Sequence, residues 1–217
     1  MFQYHGGVNA EEPGKLSGRR AQAARNDQVI LAAARAVFLA DPGAPVTAVA
    51  KRAGVGISAL YSRYGSKEEL LRKLCSDGLQ IFVDETEVAL ADERDHWSAF
   101  TRFMERLVAA DTSSMTLALA GTFTPTPEMF ALAERSSQLL NELFERVRDT
   151  LRPELSVHDV SLVFEIVAAI KLGSPGRTAQ LRQRYLSIIL SGMHRSAAGS
   201  LPGRPPTWQE INARWRA

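Results

Sequence analysis

The sequence predicts an all-α protein, in which a three-helix N-terminal unit with a helix-turn-helix precedes a larger helical bundle. Three observations carry that prediction. Apolar residues recur at helical spacing along most of the chain, and no segment shows a persuasive period of two. Capping and stop signals cut the pattern into pieces of helix length. Ala50 and Gly54 stand four positions apart, where two short helices would cross closely and turn.

The elements follow in order. Residues 1–18 hold Gly6, Gly7, Pro13 and Gly14 without periodicity and read as a mobile tail. Ile30, Ala33, Ala34, Val37 and Phe38 form one helix face, which Asp41-Pro42-Gly43 stops. Val46, Val49, Ala50 and Ala53 form a short second face ended by Gly54, and Ile57, Leu60, Tyr61 and Tyr64 form a third. Ser66-Lys67-Glu68-Glu69 has the spacing of a capping box and opens a long fourth helix toward Asp92. Trp97, Phe100, Met104, Leu107 and Val108 mark a fifth. Thr126-Pro127 launches a helix carrying Phe130, Ala133, Ser137, Leu140, Phe144, Val147 and Leu151. Ser156 and Asp159 cap the next, with Val160, Val163, Phe164, Val167 and Ile170. Gly173-Ser174-Pro175-Gly176 reads as a sharp turn before a last long helix with Leu181, Tyr185, Ile188 and Ile189. A short helix around Trp208–Trp215 is expected in the Gly- and Pro-rich tail.

Composition narrows the class. With 217 residues, 45% hydrophobic and 23% charged, the chain can bury a sizeable core. No apolar run approaches the ~20 residues of a membrane span, and the start lacks the pattern of a secretory signal. Cys75 is the one cysteine, which excludes an intrachain disulfide and fits a cytoplasmic setting. The net charge of +2 is uneven: residues 1–76 sum to +5 and residues 77–217 to −3. That asymmetry fits either a polyanion at one end or a solvated basic face.

A reading head for DNA needs its second short helix to lie in the major groove. Ile57, Ser58, Ala59, Ser62 and Arg63 would face outward there, four small or apolar residues and one long cation. Spacing alone fits an ordinary helical hairpin equally well. Three neighbours favour nucleic acid. Arg19, Arg20 and Arg25 precede the first helical face, Ser66-Lys67 places free amides beside an ammonium, and Arg63 offers a planar fork for guanine or phosphate.

The segments Ile30–Phe38, Val49–Val55 and Leu60–Leu70 together resemble the DNA-binding domain of the tetracycline-repressor (TetR) family. The resemblance covers roughly Arg25–Leu74. It implies a homodimer that binds a double-stranded DNA operator, most often a repressor released by a small molecule in the helical bundle. It implies phosphate contacts at Tyr61 and Lys67 and base-facing positions at Ile57, Ser58, Ala59, Ser62 and Arg63, with Tyr64 beside them. Pro45 stands where the family usually caps the second helix with Ser or Thr, so the contact expected there moves to Thr47. Gly56 stands where a capping Ser is common, and Ile57 and Ala59 favour thymine methyls over hydrogen bonds. The implied organisation is a flexible basic arm at 1–24, a helix-turn-helix DNA-binding domain at 25–74, an effector-binding and dimerisation domain at 75–198 and a tail at 199–217.

In the larger part, Trp97, Phe100, Phe103, Met104, Leu107, Phe123, Met129, Phe130, Phe144 and Phe164 read either as plain core or as the lining of a largely apolar ligand cavity. His96, Asp111, Thr112 and Glu165 are candidate polar anchors. Val160, Val163, Val167, Leu181, Tyr185, Ile188 and Ile189 are the expected dimer interface, with Leu162 and Ile166 widening the first helix's apolar surface. No cofactor or metal is expected: the four histidines do not pair at helical spacing, and neither a G-x-S-x-G elbow nor a P-loop occurs. A DNA-binding regulator without a small-molecule effector, working as an activator or through protein partners, is the competing reading. An enzyme is the more distant one, for want of a nucleophile, base or ligand constellation.

Overall fold

The computed structural model describes residues 13–93, 95–119, 121–197 and 199–212, with side chains from residue 25 onward except at 116, 117 and 212. The described elements are α1 (Pro13–Ala40), α2 (Val46–Ala53), α3 (Ile57–Tyr64), α4 (Lys67–Ala91), α5 (His96–Ala110), α6 (Thr112–Leu119), α7 (Pro127–Val147), a 3-10 turn (Arg148–Thr150), α8 (Val157–Ala168), α9 (Pro175–Met193) and α10 (Trp208–Asn212). The fold is all-α: among the described residues extended pairing is limited to one isolated bridge between Leu151 and His194. No helix there is long and apolar enough to cross a membrane.

The local signals behave as their chemistry dictates. The Ser66 side chain accepts from the Glu69 amide at 3.1 Å and starts α4. Thr126 accepts from Met129 N–H and Pro127 fills the first turn of α7. Asp159 accepts from the Ser156 amide at 2.7 Å at the head of α8. Gly54, at φ 68°, takes the left-handed conformation that lets Val55 N–H bond the Ala50 carbonyl and close α2.

Four expectations change. Residues 13–24, expected within a flexible arm, have helical backbone and extend α1. Leu16, Arg19, Arg20 and Ala21 are good helix formers, so a helix there needs no buried stripe to declare it. Glu69 completes only half of the Ser66 capping box, because its carboxylate pairs with Arg72 at 2.6 Å while the Ser66 amide bonds the Tyr64 carbonyl. Pro175 and Gly176 open α9 rather than preceding it, with Ser174 as the cap. Helix α6 was absent from the pattern, since eight residues with two serines and two threonines give no usable period. Its start is set by Asp111, a non-glycine residue at φ 53°, a conformation aspartate tolerates better than most.

Two cores result. One gathers Phe100, Phe103, Met104 and Leu107 of α5, Leu140, Leu143, Phe144 and Val147 of α7, Val160, Val163, Phe164 and Val167 of α8, and Leu186, Leu190 and Met193 of α9. The other packs Ile30, Ala34 and Phe38 of α1, Val46, Val49 and Ala50 of α2, Leu60 of α3 and Leu70, Leu71, Leu74 and Cys75 of α4. Met115 and Leu119 of α6 and Met129 of α7 join that second core. It therefore runs across the domain boundary expected after residue 74.

Candidate nucleic-acid interface and the bundle behind it

Helices α2 and α3 cross where the sequence allows it. Val49 and Leu60 are fully buried between them, and Ala50 leaves room for the approach. Leu60 is the buried residue of α3, which leaves most of the rest of the helix exposed. Its N-cap, Gly56, has an extended backbone and no side-chain bond, so the amides of the first turn stay without a side-chain partner from the cap. Ser58, Ala59, Tyr61 and Ser62 lie exposed on α3, and Thr47 lies exposed in the first turn of α2. Four of these five residues carry a hydroxyl, and none is charged.

Four further expected contact residues have packing or partners within the unit. Ile57 is half-buried against the second core, because it lies on the inner edge of α3. Tyr64 is also half-buried there, with its hydroxyl 3.4 Å from Asp27 Oδ1. Burial first, and the Asp27 charge second, push its phenol up to about 12. Arg63 folds back along α1: its Nε donates to Asp27 Oδ1 at 2.6 Å and its Nη2 donates to Oδ2, a bidentate pair. That hydrogen bond is the main reason the Asp27 carboxyl is held below the usual carboxylate range. Lys67 places its ammonium on the Ala44 and Pro42 carbonyls at 2.8 and 3.2 Å, over the Phe38 ring. It ties the α1–α2 turn to α4. Arg25 is exposed on α1, and the side chains of Arg19 and Arg20 lie outside the described ones.

Among the described residues, the side chains expected to line a ligand cavity in the larger bundle pack largely on one another. Phe103 meets Phe82 and Phe164 edge to face, with ring centres 5.5 and 6.1 Å apart, and Phe100 stacks between Phe103 and Trp97. Met104, Leu107 and Phe144 fill the same core. A space of about 10 Å³, about the size of one water, lies beside Leu107, Val108, Phe164 and Arg182. Met129 and Phe123 belong to the other core. Phe130 points outward, 63% exposed, because the buried edge of α7 runs through Met129, Ser136, Leu139 and Leu143. An open groove of about 630 Å³ lies instead between the α1–α2 turn, the head of α4 and the 121–125 segment.

Of the polar anchors expected there, His96 turns its Nδ1 to the Arg146 carbonyl at 3.2 Å, and Thr112 is buried at the head of α6. Asp111 pairs with Arg182, which sequence reasoning passed over. Arg182 is 7% exposed and donates to Asp111 Oδ1 at 2.6 Å, Ala168 O at 2.8 Å and Ile170 O at 3.1 Å. Arg35 of α1 reaches the Ala110 and Asp111 carbonyls from the other side, at 3.3 and 3.4 Å.

The expected dimer residues divide in two. Val160, Val163 and Val167 are buried inside the subunit's own core. Tyr185, Ile188 and Ile166 are 46%, 54% and 57% exposed, and Leu162 and Leu181 are half-buried beside them. Ile189 packs partly on the core. The apolar surface of α8 thus has an inner and an outer side, and only the outer one is free to meet another subunit.

Residues 30–74 match the family model for bacterial regulatory proteins of the tetR family. Solved structures of similar fold include the regulator LfrR from Mycobacterium smegmatis, in complex with proflavine, at 22% identity and TM-score 0.61, covering 82% of this chain and 99% of that one. PfmR from Thermus thermophilus is 24% identical with TM-score 0.54, over 75% and 97%. A TetR regulatory protein from Mycobacterium vanbaalenii is 24% identical with TM-score 0.54, over 81% and 98%. A search of curated proteins gives no match.

Proposed function

We propose that the chain acts as a sequence-specific homodimeric repressor, its DNA-binding domain being residues 30–74, which match the family model for bacterial regulatory proteins of the tetR family, in a fold similar to that of solved TetR-family regulators. The carrying observation is the outward-facing α3, held by Gly54, Val49 and Leu60, with Ser58, Ala59, Tyr61 and Ser62 on its exposed side. Thr47 and Tyr61 serve as phosphate contacts in this reading. Ser62 and Ser58 supply hydrogen bonds to bases, and Ala59 meets a thymine methyl. Two copies join through the outer side of α8 and α9, around Ile166, Tyr185 and Ile188.

Selection of duplexes from a random pool by the purified protein tests this. The expected product is a two-fold symmetric site whose half-sites lie about one helical turn, ~34–36 Å, or a multiple apart. Recovery of unrelated duplexes with no shared half-site would overturn sequence-specific binding.

Release by a small, largely apolar ligand is the second component of the proposal. It is supported by the aromatic richness of the bundle and by the fold shared with LfrR, whose structure holds proflavine. A regulator without such an effector, acting as an activator or through protein partners, is the alternative, and the packing of Phe82, Phe100, Phe103 and Phe164 on one another is compatible with it. Thermal shifts across a panel of hydrophobic compounds, repeated with operator DNA present, separate the two. A compound that stabilises the free protein and weakens its hold on DNA supports ligand release, and the absence of any shift favours the alternative.

A further inference from the structure

The reading head carries a charge pair that its DNA-facing chemistry does not require. Arg63 lies in the last turn of α3, beside the outward residues Ser58, Ala59 and Ser62, and its side chain is 54% exposed. An exposed arginine at that place would ordinarily count among the cations that neutralise phosphates. Here the Nε/Nη2 edge of its guanidinium is filled by both oxygens of Asp27 from α1. The Tyr64 hydroxyl lies 3.4 Å from Oδ1 and steadies the carboxylate from the side. Asp27 itself is 23% exposed, so water screens the pair only in part.

We propose that Asp27 is a specificity-determining residue of the reading head, which keeps the Arg63 charge out of indiscriminate phosphate binding. This rests on the DNA-binding reading above. A paired guanidinium presents no net charge to the duplex, and counterion release counts only charges that neutralise phosphates. The carboxylate occupies the Nε/Nη2 edge of the guanidinium, so the Nη1 donors are not engaged by Asp27. Those donors can meet a guanine edge at a site of correct register, where geometry rather than charge decides. An exposed ion pair is worth little by itself, so the competition between carboxylate and phosphate is close and removing the carboxylate tips it.

The test uses the full chain and two fluorescent duplexes, one from the selection experiment and one of random sequence, titrated from 50 to 200 mM salt. For Asp27→Asn the expected result is binding to the random duplex at least about threefold tighter at 50 mM, with a salt slope steeper by about one unit. The preference for the selected duplex should fall, and the gain should vanish in the Asp27→Asn, Arg63→Ala double variant. An unchanged slope overturns the proposal. So does weaker binding of Asp27→Asn to both duplexes, which would make Asp27 an orienting partner for a direct contact. Should Asp27→Asn fail to fold, Arg63→Ala decides alone. A loss of about 5- to 100-fold confined to the selected duplex supports the proposal. An equal loss on both, with a slope lower by one, overturns it. Failure of the unaltered chain to bind either duplex would instead sink the DNA-binding reading itself.

Discussion

Arg182 and Asp111 join across the bundle: the guanidinium donates to the carboxylate at 2.6 Å and fills its remaining edges with the Ala168 and Ile170 carbonyls. The pair ties α9 to the end of α8 and to the corner between α5 and α6. Asp111 is held there at φ 53°, and Arg35 grips the same corner from α1 through the Ala110 and Asp111 carbonyls. The corner is the place where the reading head, α6 and the outer helices meet.

Arg182→Met should therefore cost about 2–4 kcal/mol, since it strips the carboxylate and two helix-end carbonyls of a buried partner. Urea unfolding at fixed protein concentration measures it. Arg182→Lys should recover only part, because one ammonium cannot span three acceptors in a plane. An unchanged midpoint for the Met variant would show the pair to be idle.

Lys67 bonds two carbonyls of the α1–α2 turn and lies over Phe38. Lys67→Met should lower stability by about 1–2 kcal/mol in the absence of DNA. The salt slope of DNA binding should fall by less than a full unit. A whole-unit fall with unchanged stability would restore the phosphate contact that the family resemblance implies for this position.

Ile188→Asp and Val163→Asp should separate the two sides of the α8–α9 layer. Ile188 is 54% exposed and Val163 is buried. A carboxylate at 188 should give a folded monomer in sedimentation, with weakened DNA binding. A carboxylate at 163 should abolish the cooperative unfolding transition. An Ile188→Asp protein that sediments as a dimer would move the interface elsewhere.

Phe103 and Phe130 make a similar pair. Phe103→Ala, at a fully buried ring, should cost about 3–5 kcal/mol, whereas Phe130→Ala should stay within about 0.5 kcal/mol. Comparable losses would mean that Phe130 is covered in the working assembly.

Burial pushes the Cys75 thiol up to about 12, so thiolate is scarce at neutral pH. Iodoacetamide at pH 8 should leave the folded protein unlabelled and label it fully in urea. Rapid labelling of the folded protein would show that α4 opens readily around this residue.

The helix ends were legible because they are set within a few residues: Ser66, Thr126 and Gly54 do what their side chains and backbone freedom allow wherever the chain runs. The faces were less so. On α7, Met129 and Phe130 are adjacent and both apolar, and on α8 valines alternate with Leu162 and Ile166, so period alone left the inner edge open. Partnerships between elements were hidden. Asp111 and Arg182 lie 71 residues apart and Asp27 and Arg63 lie 36 apart, and whether such charges meet depends on how each helix is rotated about its axis. Arg63 read as an open fork because nothing in its own helix shows Asp27 waiting on α1.

The second core, reaching from Phe38 and Leu60 to Met115, Leu119 and Met129, bears on how freely this protein can be recombined. A reading head excised after Leu74 would leave behind Cys75, Met115, Leu119 and Met129, which are buried in the same core. A graft onto a foreign bundle should therefore lose stability unless it brings a surface that replaces Met115 and Leu119 of α6, which thermal unfolding of chimeras with and without α6 measures. A chimera that respects the linear boundary at residue 74 cuts through a core with buried members on both sides of it.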